Sequence, residues 1–222
     1  MSFIVGIDGP AGSGKGTVTK KVANELELIN IDTGSTYRCV ALEVLNKQVS
    51  LDDKEKIIEI AKNINIDIKP NKDGDKVYLN GEDVTFKIRS KEVSQIVSPV
   101  SSIKEVRLEM VKMQRKLAEG KNVIMEGRDI CTYVFPNADI KIYLDASIEE
   151  RAKRRFKENQ EKGIEMTYEE VYENIKLRDE TDKSKEIGAL KIAEDSIVID
   201  TTSLTIEEVV EKIISIIRQK MN

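Results

Sequence analysis

Histidine is absent from the 222 residues of the chain, and cysteine is rare, since only Cys39 and Cys131 occur. The absence of imidazole excludes Ser–His catalytic triads and histidine-based metal sites. Two cysteines so far apart in sequence form neither a disulfide framework nor a metal cluster, and we expect both to be reduced thiols in a cytoplasmic protein. Phosphoryl transfer remains open to such a chain, because it depends on positioning and charge neutralisation more than on a strong base.

Long hydrophobic runs and an excess of positive charge are also lacking. No apolar run approaches the roughly 20 residues that span a bilayer, and the N-terminus has no signal-peptide pattern, so we expect a cytoplasmic protein without a membrane partner. The formal net charge of −4 argues against a nucleic-acid polymer as a partner, since proteins that bind one usually carry a basic face. The composition, 40% hydrophobic and 34% charged, is that of an ordinary globular protein.

A strand, a glycine-rich loop and a helix follow one another at the start of the chain. Phe3, Ile4, Val5 and Ile7 form the apolar run of a buried strand, and Val18, Val22 and Leu26 give the spacing of a helix packed on a sheet. Glycines let backbone N–H groups turn inward, and the helix N-terminus adds partial positive charge. A plain turn is the alternative, but this context favours a phosphate-binding loop. The loop residues are Gly9, Pro10, Ala11, Gly12, Ser13, Gly14, Lys15, Gly16 and Thr17.

The order of residues in this loop indicates which class of phosphate-binding protein the sequence resembles. Lys15 can reach the terminal phosphates of a nucleotide, and Gly16 separates it from Thr17, which carries the hydroxyl expected to help hold Mg²⁺. The order Gly-Lys-Gly-Thr is typical of small-molecule kinases that phosphorylate nucleotides, whereas GTPase switches have Ser or Thr directly after the lysine. We therefore expect a kinase of this kind rather than a GTPase switch.

Further strands end in polar residues. Residues 28–32 lead into Asp32-Thr33-Gly34, and residues 123–126 lead into Gly127-Arg128-Asp129. Residues 140–144 and 196–199 complete the core strands. Ligands of parallel α/β sheets gather at the carboxyl ends of strands. The sequence predicts an α/β P-loop fold of three layers, with a five-stranded parallel sheet.

The hydrophobic period changes to two in residues 64–86, which predicts a small antiparallel insertion of three strands. Asn80-Gly81 is a strong hairpin signal, and Asn71-Lys72-Asp73-Gly74 is interpreted as a turn rather than a guanine-reading motif. A short helix is expected to end near Pro99. The predicted division is a core of 1–34, 98–146 and 188–222, a nucleoside-monophosphate-binding insertion of 35–97, and a helical lid of 147–187.

Arginines are fewer than lysines, and several fall in segments expected to lie over the strand ends. Their planar guanidinium binds phosphate oxygens bidentately and stays charged. Arg151, Arg154 and Arg155 occupy one helix, where they either close as a lid over a triphosphate or form a solvated face paired with glutamates. The neighbouring phosphate loop favours the lid, and lid closure would exclude water from the transfer step. The other arginines of this set are Arg38, Arg107, Arg128 and Arg178.

Four motifs in this order resemble those of the bacterial cytidylate kinases. They are the phosphate loop 9–17, residues 32–38, residues 127–136, and Arg178-Asp179-x-x-Asp182. The similarity runs over essentially the whole chain and includes the small inserted sheet. Cys131 stands where that family usually has glycine, Lys185 where it usually has arginine, and Ala189 where it usually has proline.

The resemblance implies transfer of the ATP γ-phosphate to CMP or dCMP with Mg²⁺, by a monomer in pyrimidine metabolism. Lys15, Arg128, Arg151 and Arg155 would act on the transferred group, and Arg154 would bind ATP with the loop. The acceptor phosphate would lie among Thr33, Tyr37, Arg38 and Arg128. Cytosine would be read by Ser98, Arg107 and Asp129. Arg178 and Asp182 would hold the pentose, with Lys185 completing the sugar and phosphate clamp.

Two alternatives differ from this interpretation in substrate or in class. A kinase of thymidylate, adenylate or shikimate would share the loop, but the Gly127-Arg128-Asp129 motif, the Arg178/Asp182 pair and the inserted sheet argue against it. A nucleotide-binding switch would hydrolyse slowly and signal by shape. The missing guanine-reading motif and the acceptor-side arginines weigh against a switch.

Overall fold

The computed structural model describes residues 2–71, 75–161 and 163–221. The chain divides into two compact units. The first comprises Met1–Ser2 and Ile29–Val123, and the second comprises Phe3–Leu28 and Ile124–Asn222.

Eight α-helices lie within the described residues, and their order follows the helical periodicities of the sequence. A short 3-10 turn and a π-helical turn, Lys87–Arg89 and Ile130–Val134, supplement them. The helices are α1 Lys15–Leu26, α2 Thr33–Asn46, α3 Lys54–Asn63, α4 Lys91–Ser102, α5 Lys104–Ala118, α6 Ile148–Glu161, α7 Tyr168–Ser184 and α8 Ile206–Met221.

The strands form a five-stranded sheet and a three-stranded sheet. The five-stranded sheet has the order β2-β6-β1-β7-β8, and the small sheet has the order β3-β4-β5. Parallel pairing sets Val5 opposite Ile140, and antiparallel pairing sets Ile66 opposite Leu79. The predicted α/β fold with a five-stranded parallel sheet and a small antiparallel sheet is confirmed. The strands are β1 Ile4–Asp8, β2 Ile29–Asp32, β3 Ile66–Lys69, β4 Lys76–Leu79, β5 Glu82–Asp83, β6 Val123–Gly127, β7 Ile140–Asp145 and β8 Ile197–Asp200.

The core of the second unit lies between the strands β1, β7 and β8 and the helices α1 and α8. Ile7, Val22, Ile142 and Ile213 are fully buried there. Their helical members recur at intervals of three or four residues, so each helix presents one apolar stripe. Helix α8 therefore docks in this core through its own apolar stripe.

The core of the first unit joins helices α2 to α5 to the small sheet. Val40, Ile57, Ile88 and Met110 have no exposed surface in this cluster. The alternating isoleucines of β3 contribute Ile66 to the same cluster, because successive side chains of a strand point to opposite faces.

Helix α4 does not end near Pro99, so that expectation is wrong. Pro99 lies inside α4, which continues to Ser102. The ring removes one backbone donor, but Pro99 itself is exposed while Val100 is fully buried. Packing of Val100 therefore holds the last turn in place. The predicted turn at 71–74 lies largely outside the described residues, because 72–74 are not described.

Docking of α8 can be tested with two isoleucines of that helix. Ile213→Ala removes a side chain with 0% exposure, so we expect the free energy of unfolding to fall by about 2–5 kcal/mol. Ile206→Ala changes a side chain that is 42% exposed, and the fall should stay below about 1 kcal/mol. Urea titrations followed by circular dichroism measure both. Equal losses would contradict docking through this face.

Candidate active site

The glycine-rich loop closes against a neighbouring strand of the second unit. A Cβ atom at Gly9, where φ is 153°, would lie 2.1 Å from the carbonyl oxygen of Leu144 on β7. No other residue tolerates that approach. Gly14, immediately before α1, has φ 88° and is left-handed. The loop between β1 and α1 therefore takes its shape from glycines at the positions where the backbone requires them.

Lys15 is folded back onto its own loop. Its ammonium group donates to the carbonyl oxygens of Gly9 and Pro10, both at 2.7 Å, and to Ser13 Oγ at 3.1 Å. The residue is 5% exposed. Burial, followed by the charge of Arg128, lowers the pKa of Lys15 well below its usual value. An anionic ligand beside this amine would favour its charged form.

Glu126 is a site residue that sequence reasoning missed. It lies near the carboxyl end of β6, and its Oε1 is 3.1 Å from where a Cβ atom at Gly16 would be. Gly16 therefore leaves room for this carboxylate beside the loop. Thr17 is exposed in the first turn of α1. The signal that could have found Glu126 is its position as the acidic end of a buried apolar run, directly before Gly127.

The hydroxyl of Thr17 and the carboxylate of Glu126 are oxygen ligands of the kind that Mg²⁺ prefers. Magnesium sites of this type use one or two protein oxygens and complete the coordination with phosphates and water. The two side chains therefore fit the metal that the sequence predicts. Within 2–71, 75–161 and 163–221, no group of three or more histidine, cysteine or acidic residues is arranged to hold a metal ion.

Asp182 gathers three of the predicted acceptor-side cations. Its carboxylate accepts from Arg128 Nε at 2.9 Å and Lys185 Nζ at 2.7 Å, and Arg178 Nε is 4.0 Å away. Burial would raise the pKa of Asp182, but Arg128 and Lys185 outweigh it and lower the pKa to about 2. The carboxylate is therefore ionised and holds these cations close together.

Asp8 ties the end of β1 to the segment that follows Arg128 and Asp129. Its two carboxylate oxygens accept from the N–H groups of Ile130 at 2.8 Å and Cys131 at 2.7 Å. Burial, partly offset by these bonds, raises the pKa of Asp8 to about 6. Asp129 is 4% exposed and lies immediately before this fixed turn.

Cys131 occupies a buried position next to β1. A Cβ atom at Gly6 would lie 2.8 Å from its Sγ. Burial, followed by the charge of Asp8, raises the pKa of the Cys131 thiol. The thiol is free, and its protonated state makes it a poor nucleophile.

The three arginines of the predicted lid differ in their surroundings. Arg154 donates to Thr201 Oγ1 at 3.1 Å and to the Thr201 carbonyl at 2.6 Å, and its Nε lies 3.1 Å from Glu150. Its Nη1 is 4.0 Å from where a Cβ atom at Gly14 would be, so the guanidinium lies beside the phosphate loop. Arg155 is half-exposed and pairs with Glu158 at 2.8 Å.

Arg151 differs from the other two because it is buried. Only 5% of the residue is exposed. Its guanidinium donates to the carbonyl oxygens of Ala146 at 3.0 Å and Ala11 at 3.1 Å, and pairs with Asp179 at 2.7 Å. It therefore contacts the phosphate loop through a backbone carbonyl.

In the first unit, Arg107 and Tyr37 are in contact. The guanidinium carbon of Arg107 lies 5.3 Å from the centre of the Tyr37 ring, within the range of a cation–π interaction. Arg107 Nη1 also donates to the Ser101 carbonyl at 3.3 Å. Both residues are buried, so the ring and the α5 helix fix the direction of the guanidinium.

The remaining residues of the first unit that are predicted to bind the acceptor lie on α2 and α4. Arg38 Nη1 donates to Ser94 Oγ at 3.0 Å and to the Ile88 carbonyl at 3.3 Å. Thr33, the first residue of α2, is buried. Ser98 is exposed on α4, and its carbonyl accepts from two serine hydroxyls.

Comparison with known proteins gives a consistent match. A family model described as cytidylate kinase covers residues 5–219. A cytidylate kinase from Caldanaerobacter subterraneus is 52% identical over 219 residues, covering 99% of this chain and 96% of the relative. One from Bacillus subtilis is 49% identical over 216 residues, covering 97% and 96%. The solved structure of TT1252 from Thermus thermophilus matches the fold, with a TM-score of 0.50 at 16% identity and coverage of 100% and 98%.

The raised pKa of Asp8 predicts a pH-dependent stability. Because the folded-state pKa of about 6 lies above the ordinary 3.8, ionised Asp8 disfavours the folded state, and its protonation favours that state as the pH falls. Relative to Asp8→Asn, the free energy of unfolding of the wild type should rise by up to about 3 kcal/mol between pH 7 and pH 4. Denaturant titrations at each pH measure this difference. A difference that stays constant with pH would contradict the prediction.

Proposed function

Because the chain belongs to the cytidylate kinase family, we propose that it transfers the γ-phosphoryl group of ATP to CMP and dCMP. The chain is a kinase enzyme. An oxygen of the acceptor phosphate attacks the γ-phosphorus, and the bond to the leaving ADP oxygen breaks, giving CDP or dCDP. The observation that best supports a phosphoryl transfer is the placement of the Lys15 ammonium and the Glu126 carboxylate at the glycine-rich loop.

The donor half of the proposal rests on the loop and the residues next to it. Backbone N–H groups of 9–17 and the ammonium of Lys15 bind the ATP phosphates. Lys15 must then exchange the carbonyl oxygens of its own loop for phosphate oxygens, which are better hydrogen-bond acceptors because they are anionic. Arg154 adds a cation at the same loop. Thr17 and Glu126 would hold Mg²⁺, which when bound would neutralise charge on the donor phosphates.

The acceptor half assigns one set of residues to the acceptor phosphate and another to the pentose. Thr33, Tyr37 and Arg38 bind the acceptor phosphate together with Arg128. The pentose is held by Arg178 and Asp182, with Lys185 beside them. The network around Asp182 supports this assignment, because a carboxylate that already accepts from cations is kept ionised and can accept a sugar hydroxyl.

Cytosine is proposed to be read by Asp129 and Arg107, with Ser98 beside them. The base offers an amino donor at N4 and acceptors at N3 and O2, so a carboxylate and a guanidinium complement it. Uracil reverses the polarity at positions 3 and 4 and would set an acceptor against Asp129. Leaving buried polar groups unpaired discriminates strongly between such analogues.

Transfer itself needs charge stabilisation rather than a covalent intermediate. Arg128 and Lys15 face the transferred group, and Arg155 joins them when the lid closes. Arg155 is half-exposed and pairs with Glu158, and it can exchange that carboxylate for phosphate at small energetic cost.

A monomeric state and a cytoplasmic location remain predictions. None of the helices within the described ranges is long and apolar enough to cross a membrane.

The reaction is tested by measuring ADP release with ATP and Mg²⁺ against CMP, dCMP, UMP, AMP, GMP and dTMP. We expect turnover with CMP and dCMP far above that with the other acceptors, and a phosphorylated acceptor as product. ADP release that is independent of every acceptor would contradict the proposal and would indicate an ATPase or a switch.

Base selection is tested with Asp129→Asn. An amide presents a donor as well as an acceptor, so it pairs with either pyrimidine less selectively, and we expect kcat/KM for CMP to fall by about 10²-fold with a smaller effect on UMP. The KM for ATP should stay unchanged. Asp67→Asn, at an exposed ion pair, is the matched control. An unchanged ratio of CMP to UMP activity would exclude Asp129 from base reading.

A further inference from the structure

The guanidinium of Arg151 joins three segments of the second unit. Nε bonds the Ala146 carbonyl just before α6, Nη1 bonds the Ala11 carbonyl of the phosphate loop, and Nη2 pairs with Asp179 of α7. The two side chains of the Arg151–Asp179 pair are 7% and 11% exposed. Every nitrogen of this guanidinium therefore has a protein partner inside the unit.

The hydrogen bond from Arg151 to the Ala11 carbonyl oxygen orients part of the phosphate loop. A trans peptide directs its C=O and N–H groups to opposite sides, so the bond to the Ala11 oxygen turns the N–H of Gly12 away from Arg151. A Cβ atom at Gly12 would lie 3.0 Å from the Arg151 carbonyl oxygen. The loop therefore rests on the start of α6 through both backbone and side chain, and the direction of one of its N–H groups depends on Arg151.

Asp179 connects the same arginine to the acceptor side. It lies on α7 between Arg178 and Asp182, which are proposed to hold the pentose. Its Oδ2 binds Arg151, while its Oδ1 has no hydrogen-bond partner among the described residues. The carboxylate thus depends on Arg151 for its pairing, and removal of one member leaves the other buried and uncompensated.

We propose that Arg151 is a positioning residue, and that the Arg151–Asp179 pair couples ATP binding at the phosphate loop to CMP binding at α7. This differs from the role of a lid arginine that touches the transferred group, and it rests on the proposed function. A change at the loop that shifts the Ala11 carbonyl acts on Arg151, then on Asp179, and so on the two pentose-binding residues of α7. By linkage the coupling works equally in both directions.

Calorimetry of CMP binding, with and without a non-hydrolysable ATP analogue and Mg²⁺, tests the coupling. In the wild type the analogue should change the Kd of CMP by roughly 5-fold or more. In Asp179→Asn, which keeps the shape of the side chain, this factor should fall towards one. Glu207→Gln breaks an exposed ion pair with Lys21 and should keep the wild-type factor. No effect of the analogue in the wild type, or an unchanged factor in Asp179→Asn, would overturn the proposal.

Steady-state kinetics separate positioning from direct contact. If Arg151 is a positioning residue, kcat/KM should fall by similar factors in Arg151→Lys, in Asp179→Asn and in the double variant, because the two residues act as one unit. Direct contact with the transferred group predicts instead a loss of about 10³-fold for Arg151→Lys at saturating substrates, with Asp179→Asn near wild type. That pattern would refute the positioning role.

Failure of the proposed function gives a different result. A wild-type protein that binds the ATP analogue but not CMP, and releases no ADP with CMP, would overturn the cytidylate activity and the coupling together. A protein that phosphorylates CMP without any linkage between the two ligands would overturn the coupling alone. Thermal melting of each variant confirms that the measured protein is folded.

Discussion

The cations of a polyphosphate site repel one another while no ligand is bound. Carboxylates placed between them offset this repulsion, and they thereby determine how the surrounding segments fold. Asp182 lies between Arg128 and Lys185, and Asp179 lies against Arg151. Arg151, Asp179 and Asp182 are buried, and a buried charge without its partner is strongly destabilising. Helix α7 supplies both carboxylates, which makes it the element through which the positive charge of the second unit is arranged.

Close contacts at the end of β1 also hold the phosphate loop in place. Gly9 approaches the carbonyl of Leu144 so closely that no side chain fits, and the next residue back, Asp8, fixes the turn after Asp129. Two adjacent residues thus link the phosphate loop to β7 and to the proposed base-reading residue. A backbone held from both sides loses little further entropy when a ligand binds, which favours tight positioning.

Much of the fold could be predicted from the sequence, because strand and helix periodicities are local and the glycine loop has a recognisable context. The continuation of α4 through Pro99 could not, since it depends on where Val100 packs. Spacing alone grouped Arg151 with Arg154 and Arg155. The burial of Arg151 depends on Asp179, which comes from another helix. Glu126 could not be singled out from the sequence, because the role of an acidic residue at the end of a strand depends on the loop that it faces in the fold.

A site without histidine keeps nearly constant charge around neutral pH. Guanidinium groups stay protonated throughout. Burial would raise the pKa of Asp182, but the neighbouring cations outweigh burial and lower the pKa to about 2. Burial raises the pKa of Asp8 to about 6 and lowers the pKa of Lys15 from its usual value, and the two residues adjoin or belong to the phosphate loop. Because the charge of Asp8 changes just below neutral pH, a response of the enzyme to pH is expected at the turn after Asp129 that Asp8 holds.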